Sequence, residues 1–286
     1  MLIEKKAYAK INLYLEILDK LPNGYHSIFT VMQKISLCDD IKININPGAG
    51  QNINITCDDK SIPADKTNTV YQAAELFFER TKISAGITIE ITKKIPSQAG
   101  LGGGSSDAAA VLSGLNEYYD FILPEYVLID IAAKVGADVP FFVKDANCAV
   151  CEGIGEIVTP VEIDTDLSGF VCLIVKPAYN ISTKQAFEDW DKSKPPRQRW
   201  QHGVFTGWSF IHNDFSELIF SQNQDIREIK DFMIKSNAAT AELSGSGSAL
   251  FGIFGNINDA RRCKNAINKH GDIEFCDIFD FYVDII

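Results

Sequence analysis

No stretch of this chain stays apolar for the ~18–20 residues that a membrane-spanning helix needs. The first residues lack a leader pattern as well, because Met1-Leu2-Ile3 passes straight into Glu4-Lys5-Lys6, with no apolar core and no small-residue cleavage site. Clustered basic residues are also scarce. Across 286 residues, 27 Lys and Arg face 38 Asp and Glu, a formal net charge of −11. That sign excludes a protein that grips a phosphate backbone, so no nucleic-acid partner is expected. A single nucleotide is not excluded, since backbone N–H groups and one or two cations hold such ligands. The expectation is a soluble cytoplasmic protein without a membrane partner.

Paired, closely spaced cysteines are missing too. Seven cysteines are an odd number spread thinly, the usage of reduced thiols rather than of a disulfide scaffold. The one CxxC, Cys148 and Cys151, sits in Ala146-Asn147-Cys148-Ala149-Val150-Cys151-Glu152, which alternates as a short strand. With no second pair and no adjacent histidine, these thiols read as small core side chains. What remains is ordinary for a globular chain, at 46% hydrophobic and 23% charged residues. Its length suits one large or two ordinary domains.

Period-two alternation marks strands at Ala7–Glu16, with Lys10 and Asn12 on the polar side, and at Gly86–Thr92. Ile41–Asn46 and Asn52–Thr56 also alternate across Pro47-Gly48-Ala49-Gly50 and predict a β-hairpin. Leu21-Pro22-Asn23-Gly24-Tyr25 is a turn. Helices are predicted over Thr69–Arg80 with Asn68 or Thr69 as cap, over Asp107–Leu115, and over Pro124–Val135 closed by Gly136. The segment from Trp190 to Trp208, with Lys192-Ser193-Lys194-Pro195-Pro196-Arg197, reads as a solvated connector, with a lid over a substrate as the alternative. Strands and helices without βαβ regularity indicate an α+β protein. A composition shift at Pro160–Asp166 divides it into residues 1–160 and 161–286.

The strongest chemical signal is Ile95-Pro96-Ser97-Gln98-Ala99-Gly100-Leu101-Gly102-Gly103-Gly104-Ser105-Ser106-Asp107. Glycines free the backbone to turn tightly and approach a ligand. The serines open a helix whose unpaired N–H groups suit a phosphate. No Lys follows the last glycine, so this is not a Walker A loop, and Ser105 stands where GxGxxG needs its last glycine. Asp138, in Gly136-Ala137-Asp138-Val139-Pro140-Phe141-Phe142, lies at a helix end before a proline-broken apolar run. Taken alone, it reads as a capping or turn residue or as a carboxylate projecting into a cleft. A second small-residue loop, Leu243-Ser244-Gly245-Ser246-Gly247-Ser248, reads equally as a plain turn or as a wall of the same phosphate site.

In order along the chain, Ala9-Lys10-Ile11-Asn12, the Pro96–Ser106 loop and Leu243–Gly247 resemble the three motifs of the GHMP kinases. Three further segments resemble the branch that phosphorylates a cytidyl-bearing polyol in isoprenoid precursor synthesis. These are Pro22-Asn23-Gly24-Tyr25-His26-Ser27-Ile28, Gly136–Phe142 and Cys151-Glu152-Gly153-Ile154-Gly155-Glu156. The resemblance implies a two-domain GHMP fold, with a left-handed βαβ unit in the first domain and a ferredoxin-like second domain. It implies Lys10 and Asp138 as the catalytic pair and Pro96 to Ser106 as the ATP loop. Asn12, Tyr25, His26, Thr183 and Phe187 are implied around the substrate, with Tyr25, His26 and Phe187 at its cytosine. ATP and Mg2+ are implied as co-substrate and metal, with Ser105 or Ser106 as a candidate metal ligand. The alternatives are a homoserine- or mevalonate-type GHMP kinase, or a non-catalytic relative.

Overall fold

The computed structural model describes residues 1–48, 50–144, 146–164, 166–193, 205–269 and 272–282. The opening alternation runs further than Ala7–Glu16. Strand β1 spans Leu2–Lys20, turns through Leu21–Tyr25 and returns as β2, His26–Asn46, antiparallel along its length. Next come β3 (Asn52–Cys57), α1 (Thr69–Thr81) and β4 (Gly86–Thr92). Helix α1 begins at the expected cap, where Asn68 Oδ1 accepts from Val70 N at 2.8 Å.

The hairpin predicted between 41–46 and 52–56 does not form. Strand β4 lies between the two, antiparallel to β2 with Ile43 opposite Ile89, and parallel to β3 with Ile55 opposite Ile89. The reason is burial. Ile87, Ile89 and Ile91 of β4 are all buried, which suits an interior strand, whereas β3 exposes Asn52, Asn54 and Thr56 and tolerates an edge. Parallel β3 and β4 then need a crossover, and α1 supplies it.

Helices α2 (Gly103–Tyr118), α3 (Glu125–Val135) and α4 (Val139–Val143) follow. Then come β5 (Cys148–Glu152), which adds to β2, and β6 (Ile157–Pro160). Helix α2 starts earlier than the predicted Asp107, inside the glycine run itself. The second part consists of β7 (Val171–Pro177), α5 (Thr183–Ser193), β8 (His212–Asn213), α6 (Ser216–Gln222) and α7 (Gln224–Lys235). It closes with β9 (Thr240–Leu243), β10 (Leu250–Phe254), α8 (Ile257–Ile267) and β11 (Ile273–Asp280). These strands form an antiparallel sheet in the order β11-β7-β10-β9, the ferredoxin-like arrangement. Strand β8 crosses back to the first sheet, pairing parallel with β1 at Tyr14 and Leu15.

The two sheets pack face to face. Ala9, Ile11 and Leu13 of β1 share one core with Cys172 and Ile174 of β7 and Phe251 and Ile253 of β10. The alternate residues Leu173 and Val175 face a separate core under α5–α8, as period two requires. Helices α1–α3 cover the other face of the first sheet. Cys148 and Cys151 are core thiols on β5, and burial pushes Cys148 up to about 12 and raises Cys151 as well. Trp190 is not part of a connector; it is buried on α5, while residues 194–204 of the predicted connector lie outside the described residues. No helix among the described residues is long and apolar enough to cross a membrane.

Candidate active site

Lys10 and Asn12 sit where β1 is least regular. Its register against β2 shifts between Tyr8 and Lys10 and again between Asn12 and Tyr14. Such bulges re-aim side chains and recur beside active sites. Both residues are buried, and Lys10 Nζ donates to Asn12 Oδ1 at 2.6 Å. Asn12 Nδ2 passes the chain on to Thr30 Oγ1 at 2.8 Å. Asp138 arrives from the turn between α3 and α4, its Oδ2 3.6 Å from Lys10 Nζ. It occupies the N-cap position of α4, yet its side chain makes no capping bond, so the capping reading falls away. Its side chain is 29% exposed against 4% for Lys10. A buried cation therefore backs a carboxylate that reaches solvent.

The two glycine-bearing loops meet over this pair. Leu101 O accepts from Lys10 N at 3.0 Å, and Ser244 Oγ donates to Gly100 O at 2.9 Å. Gly100 has φ +74° and leaves room for the Ser244 carbonyl, which a Cβ there would meet at 2.0 Å. Gly102, also at positive φ, lies against Phe142 and Lys10. Gly103 is the first residue of α2 and needs no left-handed backbone. The second loop is held from below by Asn213, whose Nδ2 donates to Leu243 O at 2.9 Å and Gly245 O at 2.8 Å. That loop is thus packed against the glycine run rather than a free turn, and none of its residues lines the cleft beside that run.

A cleft of about 450 Å3 is lined by Pro96 to Ser105 together with Lys93, Asp107, Asn68, Thr69 and Ser61–Pro63. Ser106 does not line it; it is buried and borders a smaller cleft with Lys6, Tyr8 and Lys34. Two buried polar atoms, Ser97 Oγ and Asp107 Oδ1, have no hydrogen-bond partner, and both residues line the larger cleft. Orphaned polar atoms of this kind call for a polar ligand.

Three charged residues that sequence reasoning missed brace this cleft. Lys93 Nζ bonds both Asp39 and Asp107, the latter at 2.8 Å. Asp39 Oδ1 also accepts from Lys94 N at 2.5 Å and Ile95 N at 2.8 Å, fixing the entry to the glycine loop. Burial pushes the Asp107 carboxyl up to about 7, against the pull of Lys93 and with the help of Asp39. Burial opposes the charge on Lys93, but Asp107 and Asp39 outweigh it and raise its ammonium above the usual value. Lys93 and Asp107 flank the motif in sequence and could have been suspected. Asp39, on β2, carries no local signal.

At the other end, α5 and the start of β2 bring His26, Phe187, Trp190 and Asp191 together. His26 stacks on Phe187 with centroids 4.9 Å apart and planes 10° off parallel. Its Nε2 bonds Asp191 Oδ1 at 2.7 Å, and Trp190 meets the ring edge-on at 6.1 Å. Thr183 Oγ1 lies 2.9 Å from Ser246 Oγ, which joins α5 to the second glycine loop. Tyr25 stands apart, 61% exposed and without a ring contact among the described residues. A cleft of about 550 Å3 lined by Tyr179, Asp225, Ile229 and Phe232 contains none of these residues.

Comparison with known proteins bears on this geometry. The GHMP kinase N-terminal domain matches residues 68–145, and the GHMP kinase C-terminal domain matches residues 207–273. The 4-diphosphocytidyl-2-C-methyl-D-erythritol kinase of Caldicellulosiruptor bescii is 40% identical over 89% of this chain and 90% of its own length. Its counterpart from Clostridium novyi is 34% identical over 94% and 97%. The crystal structure of a 4-(cytidine 5'-diphospho)-2C-methyl-D-erythritol kinase superposes with a TM-score of 0.78 at 27% identity, covering 97% of this chain and 99% of that one. Homoserine kinase from Cytophaga hutchinsonii shares the fold, with a TM-score of 0.66 at 18% identity over 97% and 95% of the two chains.

Proposed function

This chain belongs to the 4-diphosphocytidyl-2-C-methyl-D-erythritol kinases of the GHMP family, and from that premise we propose how its residues carry out the reaction. The enzyme phosphorylates a hydroxyl of 4-diphosphocytidyl-2-C-methyl-D-erythritol with ATP, a step of isoprenoid precursor synthesis. The observation that carries the assignment of roles is the Lys10–Asp138 pair, 3.6 Å apart beneath two interlocked glycine-bearing loops.

ATP lies in the cleft beside Pro96 to Ser105, its phosphates against the backbone of the loop and the start of α2. The Ser97 hydroxyl, which has no partner and can donate, supports a polar occupant there. The substrate hydroxyl oxygen forms a bond to the γ-phosphorus as the bond to the β–γ bridging oxygen breaks and ADP leaves. Asp138 accepts or orients the hydroxyl proton. Lys10, held by Asn12, sits 3.6 Å behind the Asp138 carboxylate and offsets charge on the transferred phosphoryl oxygens. Asn12, buried with both ends of its amide engaged by Lys10 and Thr30, is assigned to holding Lys10 rather than to a direct polyol contact.

Magnesium, bound with the nucleotide, would supply neutralisation of phosphate charge. Among the described residues no group of three or more His, Cys, Asp or Glu could hold it alone. Ser105 is the better-placed serine. Its Oγ lies 3.9 Å from where a Gly136 Cβ would stand, at the turn that carries Asp138, whereas Ser106 is turned away. His26 and Phe187 form the base end, with Thr183 toward the ribose, while Tyr25 is assigned to the same end only as an exposed ring that makes no ring contact with them. The halves 1–160 and 161–286 supply the two walls, and a cytoplasmic location suits a metabolic kinase.

The deciding experiment is a phosphoryl-transfer assay on the cytidyl polyol, homoserine and mevalonate. We expect turnover with the first alone. Preferential turnover of either of the others would overturn the substrate assignment.

A further inference from the structure

We infer that Asp191 is a positioning residue that fixes the tautomer of His26, and so lets the site tell an amine from a carbonyl on a pyrimidine edge. The inference rests on the proposed role of His26 at the base. Three elements meet here: Lys20 at the end of β1, His26 at the start of β2, and Asp191 on α5. Asp191 Oδ2 bonds Lys20 Nζ at 2.5 Å, while Oδ1 bonds His26 Nε2 at 2.7 Å. Lys20 first, and then His26, hold the Asp191 carboxyl below its usual value. An ionised carboxylate only accepts, so Nε2 must carry the hydrogen.

In a neutral imidazole the other nitrogen is then an acceptor. Nδ1 has no hydrogen-bond partner among the described residues. The ring is not free to turn over. Its side chain is 4% exposed, stacked on Phe187 and met edge-on by Trp190. Cytosine presents an N4 amine where uracil presents an O4 carbonyl. A fixed Nδ1 lone pair satisfies the amine and opposes the carbonyl. A mismatch at a buried polar group corresponds to about ten- to a hundredfold in discrimination. Second-sphere carboxylates set histidine tautomers in the same way in other sites.

The test combines 15N NMR of the substrate-free protein with kcat/KM on cytidyl and uridyl polyols. The His26 resonances are assigned by their loss in His26→Gln. In wild type we expect a protonated Nε2 and an unprotonated Nδ1. Asp191→Asn can offer an N–H to Nε2, so Nδ1–H should become populated and the cytidyl preference should fall about tenfold or more. Asp191→Glu, which keeps the carboxylate, should restore part of both signals. Asp191 is 27% exposed, so the variants should fold, and thermal unfolding checks this. A wild-type Nδ1–H tautomer, or an unchanged preference in folded Asp191→Asn, overturns the inference. Absence of any base preference in wild type refutes base recognition by His26 instead, and the tautomer signal is judged separately.

Discussion

Replacing Gly100 by Ala should damage this enzyme far more than replacing Gly103, although both lie in the same glycine run. Gly100 has φ +74°, and a Cβ there would sit 2.0 Å from the Ser244 carbonyl oxygen. Left-handed backbone costs a non-glycine residue about 1–2 kcal/mol. The clash is with backbone, which cannot rotate away, so the two loops must separate and strain the 2.9 Å bond from Ser244 Oγ to Gly100 O. Losing that bond adds about 0.5–1.5 kcal/mol. Together these give roughly 1.5–3.5 kcal/mol, a fall in Tm of about 3–6 °C for a chain of this size. A shift of about 1 Å in a positioning element also costs about a hundredfold in kcat/KM. At Gly103 a Cβ meets Ile95 Cγ2 at 3.1 Å and Lys93 Nζ at 3.3 Å, both side-chain atoms. That position opens the helix with ordinary backbone and the neighbouring side chains need give by only a few tenths of an ångström, so Gly103→Ala should stay within about 1 kcal/mol of wild type. Calorimetry for Tm and steady-state kinetics with varied ATP separate the two variants. Equal stability and activity would refute the claim that interlocked loops build the phosphate site.

Asp138→Asn and Lys10→Ala should each lower kcat by about a hundredfold or more, with nucleotide affinity by direct titration little changed; near-normal turnover in both would remove the catalytic assignment. The Asp107 carboxyl should shape the pH dependence of stability. Its native value is raised from 3.8 to about 7 by burial, so between those values the native state holds a proton that the unfolded chain has lost, and rising pH across that window reduces stability. Asp107→Asn lacks this dependence. Its stability relative to wild type, from urea unfolding, should therefore rise between pH 4 and pH 8, and a flat difference would refute the argument.

The buried charges explain why the site is preorganised. Asp39 is fully buried and would be costly if unpaired, yet it accepts two backbone N–H groups as well as the Lys93 ammonium. Those bonds tie β2 to the start of the glycine loop. Asn213 does the equivalent for the second loop, spending both amide hydrogens on its carbonyls. The loops are thus held from opposite sides before any ligand arrives.

Much of this was legible in the sequence because it depends on near neighbours. Alternation placed Lys10 and Asn12 on one strand, Asn68 announced the start of α1, and the glycine run before Ser105 announced the loop that opens α2. These signals come from periodicity and local backbone preference, which a few residues suffice to express. Pairing is another matter. Ile41–Asn46 and Asn52–Thr56 look like a hairpin, and only competition with the more apolar β4 moved them apart. Gly100 and Gly103 look alike in sequence, and only the approach of Ser244, 144 residues away, sets them apart. Likewise nothing near Asp39 or Asp191 in the chain hints at Lys93 or His26. A strand's neighbours and a charge's partners are settled by the free energy of the whole packed chain, because burying them is tolerable only where a distant element arrives to complete the bonds.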